Sequence, residues 1–293
     1  MRIVSLLPSA TEILFGIGAG EEVVGVTHEC DYPPEALGLP KLTSASTPGG
    51  PAPADIDRHV RAAIHAGSSL YQLDSELLAQ LEPDLIVTQE LCAVCAVSYE
   101  IVDSAAKRLR SDPRVISLEP TSVHDVLANI VQLGEITDHL TEARSLVAGL
   151  DSRIMALRAR TAIAEKRPRT LVLEWTDPPM SAGHWIPELV ELAGGTPILA
   201  NPGANSRRLE WSAIAQAEPE AVIVAPCGFD LAKTRRAIEE LEAIETWRSL
   251  AARRAGRVLA LDGNAYLSRP GPRLVDAAEI LERWYTDGAE YAG

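Results

Sequence analysis

The chain has 293 residues, 46% of them hydrophobic and only 4% aromatic, so it is long enough to bury a full core in one or two domains. Its formal net charge of −14 disfavours nucleic acid and anionic membrane surfaces, both of which reward a basic stripe. No apolar run reaches the ~18 residues of a membrane span, and four cysteines in a chain this long do not make a disulfide framework.

Met1-Arg2 runs directly into the apolar stretch Ile3 to Leu7, which predicts a strand with no export leader ahead of it. The expected location is therefore cytoplasmic for the chain as given, and periplasmic or extracellular if a leader has been removed. Pro8-Ser9-Ala10-Thr11 turns into a short helix ended by Gly16, Gly18 and Gly20, and Val23–Thr27 reads as a second strand. The loop that follows, His28-Glu29-Cys30-Asp31-Tyr32-Pro33-Pro34, packs an imidazole, a thiol, two carboxylates and a phenol just past a strand end, where open α/β sheets bind ligands. A short strand is expected over Leu39–Leu42, a helix over Asp55–Ala66, a further helical turn or two over Ser75–Leu81, and a strand over Asp84–Thr88.

That strand delivers Gln89-Glu90-Leu91-Cys92-Ala93-Val94-Cys95, followed by a helix from about Ser98 to Arg110. Cys92 and Cys95 have the spacing of metal ligands or a redox pair, and equally that of two small buried residues. Loops after parallel strands emerge at one sheet edge, so His28 and Cys30 are expected near Cys92 and Cys95. Three thiols and an imidazole would suit zinc.

From Thr141 to about Glu165, apolar Ala143, Leu146, Val147, Leu150, Ile154 and Leu157 recur at spacings of three and four, predicting one long helix stopped by Pro168. About 24 residues at 1.5 Å each span roughly 36 Å, enough to bridge two lobes. Comparable material does flank it. Leu78-Ala79-Gln80-Leu81-Glu82-Pro83-Asp84 precedes Leu85-Ile86-Val87, and Ile214-Ala215-Gln216-Ala217-Glu218-Pro219-Glu220 precedes Ala221-Val222-Ile223-Val224. Downstream, Arg114 to Glu119 answers Arg257 to Asp262. The chain therefore reads as two similar α/β lobes with mainly parallel sheets, residues 1–140 and 167–293, joined by a bridging helix over 141–166.

In the second lobe Leu171–Trp175 is a strand, followed by Thr176 to Met180, then Ala182-Gly183-His184-Trp185 and a helix from Ile186 to Leu192. Trp175 and Trp185 sit in strand-edge loops, where flat apolar groups suit flat ligands. Trp211, Trp247 and Trp284 fall in helical patterns and read as packing. The strand Ala221–Ala225 ends in Pro226-Cys227-Gly228-Phe229-Asp230, which places Cys227 and Phe229 in another edge loop. Arg257–Leu261 is the last strand, and Leu274–Tyr285 an amphipathic closing helix. His59, His65, His124 and His139 read as solvated side chains.

The run Ile3 to Glu12, the phrase Leu81 to Val87, Ala182-Gly183-His184-Trp185-Ile186 and Arg269-Pro270-Gly271-Pro272-Arg273 together resemble the cobalamin and iron-siderophore binding proteins of ABC importers. That resemblance covers essentially the whole chain. It implies a clamshell of two lobes on a helical backbone, of the third class of periplasmic-type binding proteins, with a corrinoid such as cobalamin held between the lobes. It also implies an ABC permease as partner, no catalysis and no membrane insertion. The residues implied to face the ligand are Pro8, Ser9, Thr11 and Tyr32 with Trp175 and Trp185, to which strand-edge position adds His28, Cys30, Gln89, Cys92, His184, Cys227 and Phe229. The competing reading is a metal- or thiol-dependent protein, using zinc, an iron–sulfur cluster or redox chemistry at His28, Cys30, Cys92 and Cys95. No nucleophile elbow, phosphate loop or HExxH helix supports catalysis.

Overall fold

The computed structural model describes residues 1–45, 52–65, 70–89 and 99–288. They form two compact units that divide between Ala148 and Gly149, with 52–54 and 121–124 grouped with the second.

The first unit is built on strands β1 (Ile3–Ser5), β2 (Val23–Val26), β3 (Thr43–Ala45), β4 (Tyr71–Leu73), β5 (Leu85–Thr88) and β6 (Arg114–Ser117). Four of these make an all-parallel sheet in the order β2-β1-β5-β6, while β3 and β4 pair antiparallel on their own. Every residue of β1 and β5 is buried, as expected of parallel strands covered on both faces. One covering cluster joins Val4, Leu6 and Ile86 to Leu42, Leu78, Val102 and Ala106. The covering helices are α1 (Pro8–Gly16), α2 (Pro53–His65), α3 (Ser75–Leu81), α4 (Tyr99–Ala106) and α5 (Val123–Ile136).

The second unit carries β7 (Arg169–Thr176), β8 (Pro179–Ser181), β9 (Thr196–Pro197), β10 (Arg207–Arg208), β11 (Ala221–Val224) and β12 (Val258–Ala260). Their order is β10-β8-β7-β11-β12, with β9 also beside β7. Strands β7, β11 and β12 are parallel, and β8 and β10 extend the edge as antiparallel additions. Leu171 and Leu173 pack with Val222, Val224 and Trp247 on one face of this sheet.

Helix α6 (Leu140–Thr161) is the long central helix; of its expected stripe Ala143, Leu150, Ile154 and Leu157 are buried, while Leu146 and Val147 are half-buried. It stops at Thr161, short of Glu165, where the Thr161 hydroxyl donates back to the Arg158 carbonyl at 3.3 Å. Beyond it come α7 (Ile186–Leu192), α8 (Trp211–Gln216), α9 (Leu231–Leu241), α10 (Glu245–Ser249), α11 (Ala251–Arg254) and α12 (Leu274–Asp287). Arg153, in the part of α6 that belongs to the second unit, pairs with Asp276 and Glu279 of α12.

The internal repeat is visible atom by atom. Strands β1, β5 and β6 lie in the same order as β7, β11 and β12. The Arg2 amide donates to Asp84 at 2.7 Å and its Nε to the Leu81 carbonyl at 2.7 Å. In the second unit the Arg169 amide donates to Glu220 at 2.8 Å and its guanidinium to the Ala217 carbonyl at 2.7 Å. Glu82 and Glu218, the glutamates before proline in the repeated phrase, take φ of 41° and 45°, left-handed values that end the preceding helix and turn the chain into the strand.

One expected element needs correction, and two were not expected. Leu39–Leu42 is not a strand; Lys41 makes one isolated bridge to Val26, and the strand begins at Thr43, paired with β4, which the sequence pattern did not single out. Helix α5 was likewise not singled out.

Candidate functional site

Parallel strands share a direction, so the loops after β1, β2, β5 and β6 leave the first sheet at one edge. That edge holds a group of buried polar side chains, namely Ser5, Ser9, Thr11, Thr27, Thr43, Thr88 and Gln89. In an otherwise apolar interior such groups need partners. Thr11 Oγ1 donates to Ser5 Oγ at 2.8 Å, Ser5 Oγ donates to the Leu7 carbonyl at 3.1 Å, and the Cys30 sulfur lies 3.1 Å from Thr11 Oγ1. With the Thr11 proton directed at Ser5, the Cys30 thiol is the donor to Thr11. Cys30 is buried and hydrogen-bonded inside the unit. Pro8 opens α1 at the first helical position, and the Ser9 hydroxyl is buried without a partner among the described residues.

His28 anchors a second set of contacts. Its amide donates to Thr43 Oγ1 at 3.0 Å, its Nδ1 lies 2.7 Å from that oxygen, and Thr43 Oγ1 lies 2.7 Å from Thr27 Oγ1. Burial lowers the imidazole below its ordinary pKa; Glu29 opposes this and Lys41 adds to it. Tyr71 donates to Glu29 Oε1 at 3.2 Å, and its ring sits 5.6 Å from that of His28. Lys41 Nζ donates to the carbonyls of Cys30 and Ala36 at 2.9 and 3.1 Å, which fixes the loop carrying the half-exposed Tyr32.

Cys92 and Cys95 lie outside the described residues, and with them the expected convergence on His28 and Cys30. Among the described residues no three His, Cys, Asp or Glu side chains come together as a metal site.

In the second unit Trp175 lies inside β7, paired with Met180, rather than in the expected loop; it is only partly buried, with its indole N–H on the Asp177 carbonyl at 3.0 Å and its ring edge-on to Phe229 at 5.4 Å. An aromatic fixed by its own polar edge presents its face without further ordering cost. Cys227 is exposed next to this pair. Trp185, expected to face ligand, is instead buried, and its indole N–H donates to the Leu267 carbonyl at 2.9 Å. His184 adopts φ of 53° and its Nε2 lies 3.1 Å from Asn205 Oδ1. This backbone clasp needs Gly183, because a side chain there would collide with main-chain atoms of Ser206 and Ala204. Trp247 and Trp284 are buried packing residues.

Sequence reasoning missed Glu174. The carboxylate accepts bonds from the Gly183 backbone and the Ser206 side chain, yet desolvation dominates and pushes its pKa up to about 7. The available signal was an acid set between the apolar run Leu171-Val172-Leu173 and Trp175.

Each unit thus carries candidate side chains at the carboxyl edge of a sheet whose central strands are parallel. The chain belongs to the periplasmic binding protein family, whose profile matches residues 3–265. It is 24% identical over 289 residues to a vitamin B12-binding protein of Vibrio cholerae, covering 95% of this chain and 86% of that protein. The crystal structure of the periplasmic vitamin B12 binding protein of Vibrio cholerae superposes with a TM-score of 0.70 at 22% identity, covering 97% of this chain and 96% of that one. A periplasmic heme binding protein from Pseudomonas aeruginosa gives 0.73 at 20% identity, covering 99% and 94%. These relatives are described as periplasmic, so the cytoplasmic expectation gains no support from them. No helix among the described residues is long and apolar enough to cross a membrane.

Proposed function

We propose that the chain binds a corrinoid of the cobalamin type without transforming it, and hands it to an ABC permease. The observation that carries this reading is the Trp175–Phe229 pair, a pre-set aromatic wall on the carboxyl edge of the second sheet, in a chain that has few aromatics to place. The candidate contacts in the second unit are His184 and Cys227 beside the aromatic pair; those in the first unit, taken by itself, are Pro8, Ser9, Thr11, His28, Tyr32 and Gln89. Family membership and the vitamin B12-binding relatives support the same cargo class.

The zinc, iron–sulfur or redox reading draws no support from the described residues, since Cys30 is already bonded to Thr11. Tryptophan fluorescence titrated with cyanocobalamin tests the proposal. Saturable quenching at one equivalent is expected; a linear response with no saturation would remove the corrinoid.

A further inference from the structure

We propose that Glu174 is a positioning residue for the second unit's candidate site, joining the Trp175–Phe229 pair to the His184–Asn205 clasp. This rests on the reading that the aromatic pair faces the cargo.

The strand makes the first link. Leu173 of β7 opposes Ser181 of β8 and Trp175 opposes Met180, so three residues stand against two and Glu174 is the extra one. A bulge of this kind re-aims the side chains beside it and is common next to binding sites. The Glu174 carbonyl accepts the Cys227 amide at 3.1 Å, which ties β7 to the loop that carries Phe229.

The carboxyl makes the second link, through its bonds to the Gly183 backbone and the Ser206 side chain. These two residues flank the clasp. Within it the His184 amide donates to the Ala204 carbonyl at 2.7 Å, the Gly203 amide donates to the His184 carbonyl at 2.9 Å, and His184 Nε2 meets Asn205 Oδ1 at 3.1 Å. A Cβ at Gly183 would come within 2.4 Å of the Ser206 nitrogen, so the two ends of the clasp have no slack. One residue thus holds both loops and precedes the ring that forms the wall.

The proton state decides how well this link holds. A neutral carboxyl satisfies both neighbours, its carbonyl oxygen taking the Gly183 N–H and its hydroxyl giving to Ser206 Oγ. The ionised group can only accept, in surroundings taken out of water. The titratable or charged residues on the elements around it are Asp177 just past its own strand, Cys227 after β11, His184 beside Gly183, and Arg207 and Arg208 after Ser206. Arg207 Nε is committed to the Leu199 carbonyl at 3.1 Å, and only burial and the two bonds act on the carboxyl. Burial outweighs the bonds, so the proton leaves at about pH 7. Above that, the charge is relieved only when water reaches it, and that parts Gly183 and Ser206 from β7. The arrangement that presents Trp175 and His184 together is the protonated one.

The full chain is tested between about pH 5.5 and about pH 8.5, by tryptophan fluorescence without ligand and by equilibrium dialysis against cyanocobalamin. The fluorescence difference between the parent and Glu174→Gln should show a step centred at about pH 7. Across that range the parent's affinity should fall, relative to that of Glu174→Gln, by on the order of 10-fold. Ser206→Ala should move the midpoint upward, because losing a donor to the carboxylate favours its neutral form. A flat fluorescence difference, or parent and Glu174→Gln affinities that run parallel with pH, would overturn the positioning role and leave the corrinoid reading intact. No cyanocobalamin binding at any pH would remove the corrinoid; accompanied by the fluorescence step it still supports the positioning role, and without the step it overturns both.

Discussion

Glu174 makes the stability of the second unit depend on pH in a direction opposite to that of most carboxylates. Its pKa stands at about 7 in the folded protein, against 4.5 as its ordinary value, because the side chain is taken out of water at the end of β7. Between these values the folded state holds a proton that the unfolded state has released. Stability therefore falls as pH rises from about 4.5 to about 7, and the full cost persists above that. A difference of some 2.5 units at 1.36 kcal/mol each gives about 3 kcal/mol, an upper figure because the residue keeps a partly exposed edge. Glu174→Gln keeps an oxygen for the Gly183 amide and carries no charge. Urea unfolding of both proteins from pH 5 to pH 8 isolates the group, since other titrations cancel in the difference. The variant should gain on the parent as pH rises, ending up to about 3 kcal/mol ahead. A difference that stays flat across that range would refute the burial argument.

Replacing Trp175 by Ala should weaken cyanocobalamin binding by about 1–3 kcal/mol, the range for losing a buried aromatic contact, as read by equilibrium dialysis; unchanged affinity would take the wall away from the ligand. Arg2→Ala and Arg169→Ala should each cost about 0.5–1.5 kcal/mol in urea unfolding, because each removes a guanidinium bond to a helix-end carbonyl while sparing the backbone amide bond. Losses of quite different size would argue that the two clamps are not equivalent.

The framework was legible because parallel strands write themselves as short apolar runs, and because the phrase before β5 recurs before β11 with the same helix-ending glutamate. Arg2 and Arg169 were not legible as a pair. A surface arginine ahead of a strand has no distinguishing pattern until its carboxylate and carbonyl partners, some 50 to 80 residues away in sequence, are folded onto it. The β3–β4 pair escaped for a related reason, since two three-residue strands carry too few alternations to show a period. At the candidate site, position relative to strand ends singled out His28 and Trp175 as candidates, and the family resemblance singled out Thr11. Position could not separate Trp175 from Trp185, because both stand at or soon after strand ends and it is the fold that buries Trp185, with its indole on the Leu267 carbonyl 82 residues on. The Thr43 contact with His28 reaches 15 residues back, and hydroxyls carry no sequence signal of that kind.

Isothermal calorimetry of the purified chain against cyanocobalamin, hemin and a ferric siderophore tests the central claim most directly. The account predicts saturable one-to-one binding of cyanocobalamin, tighter than that of the siderophore. Heat from the siderophore alone, or from none of the three, would contradict it.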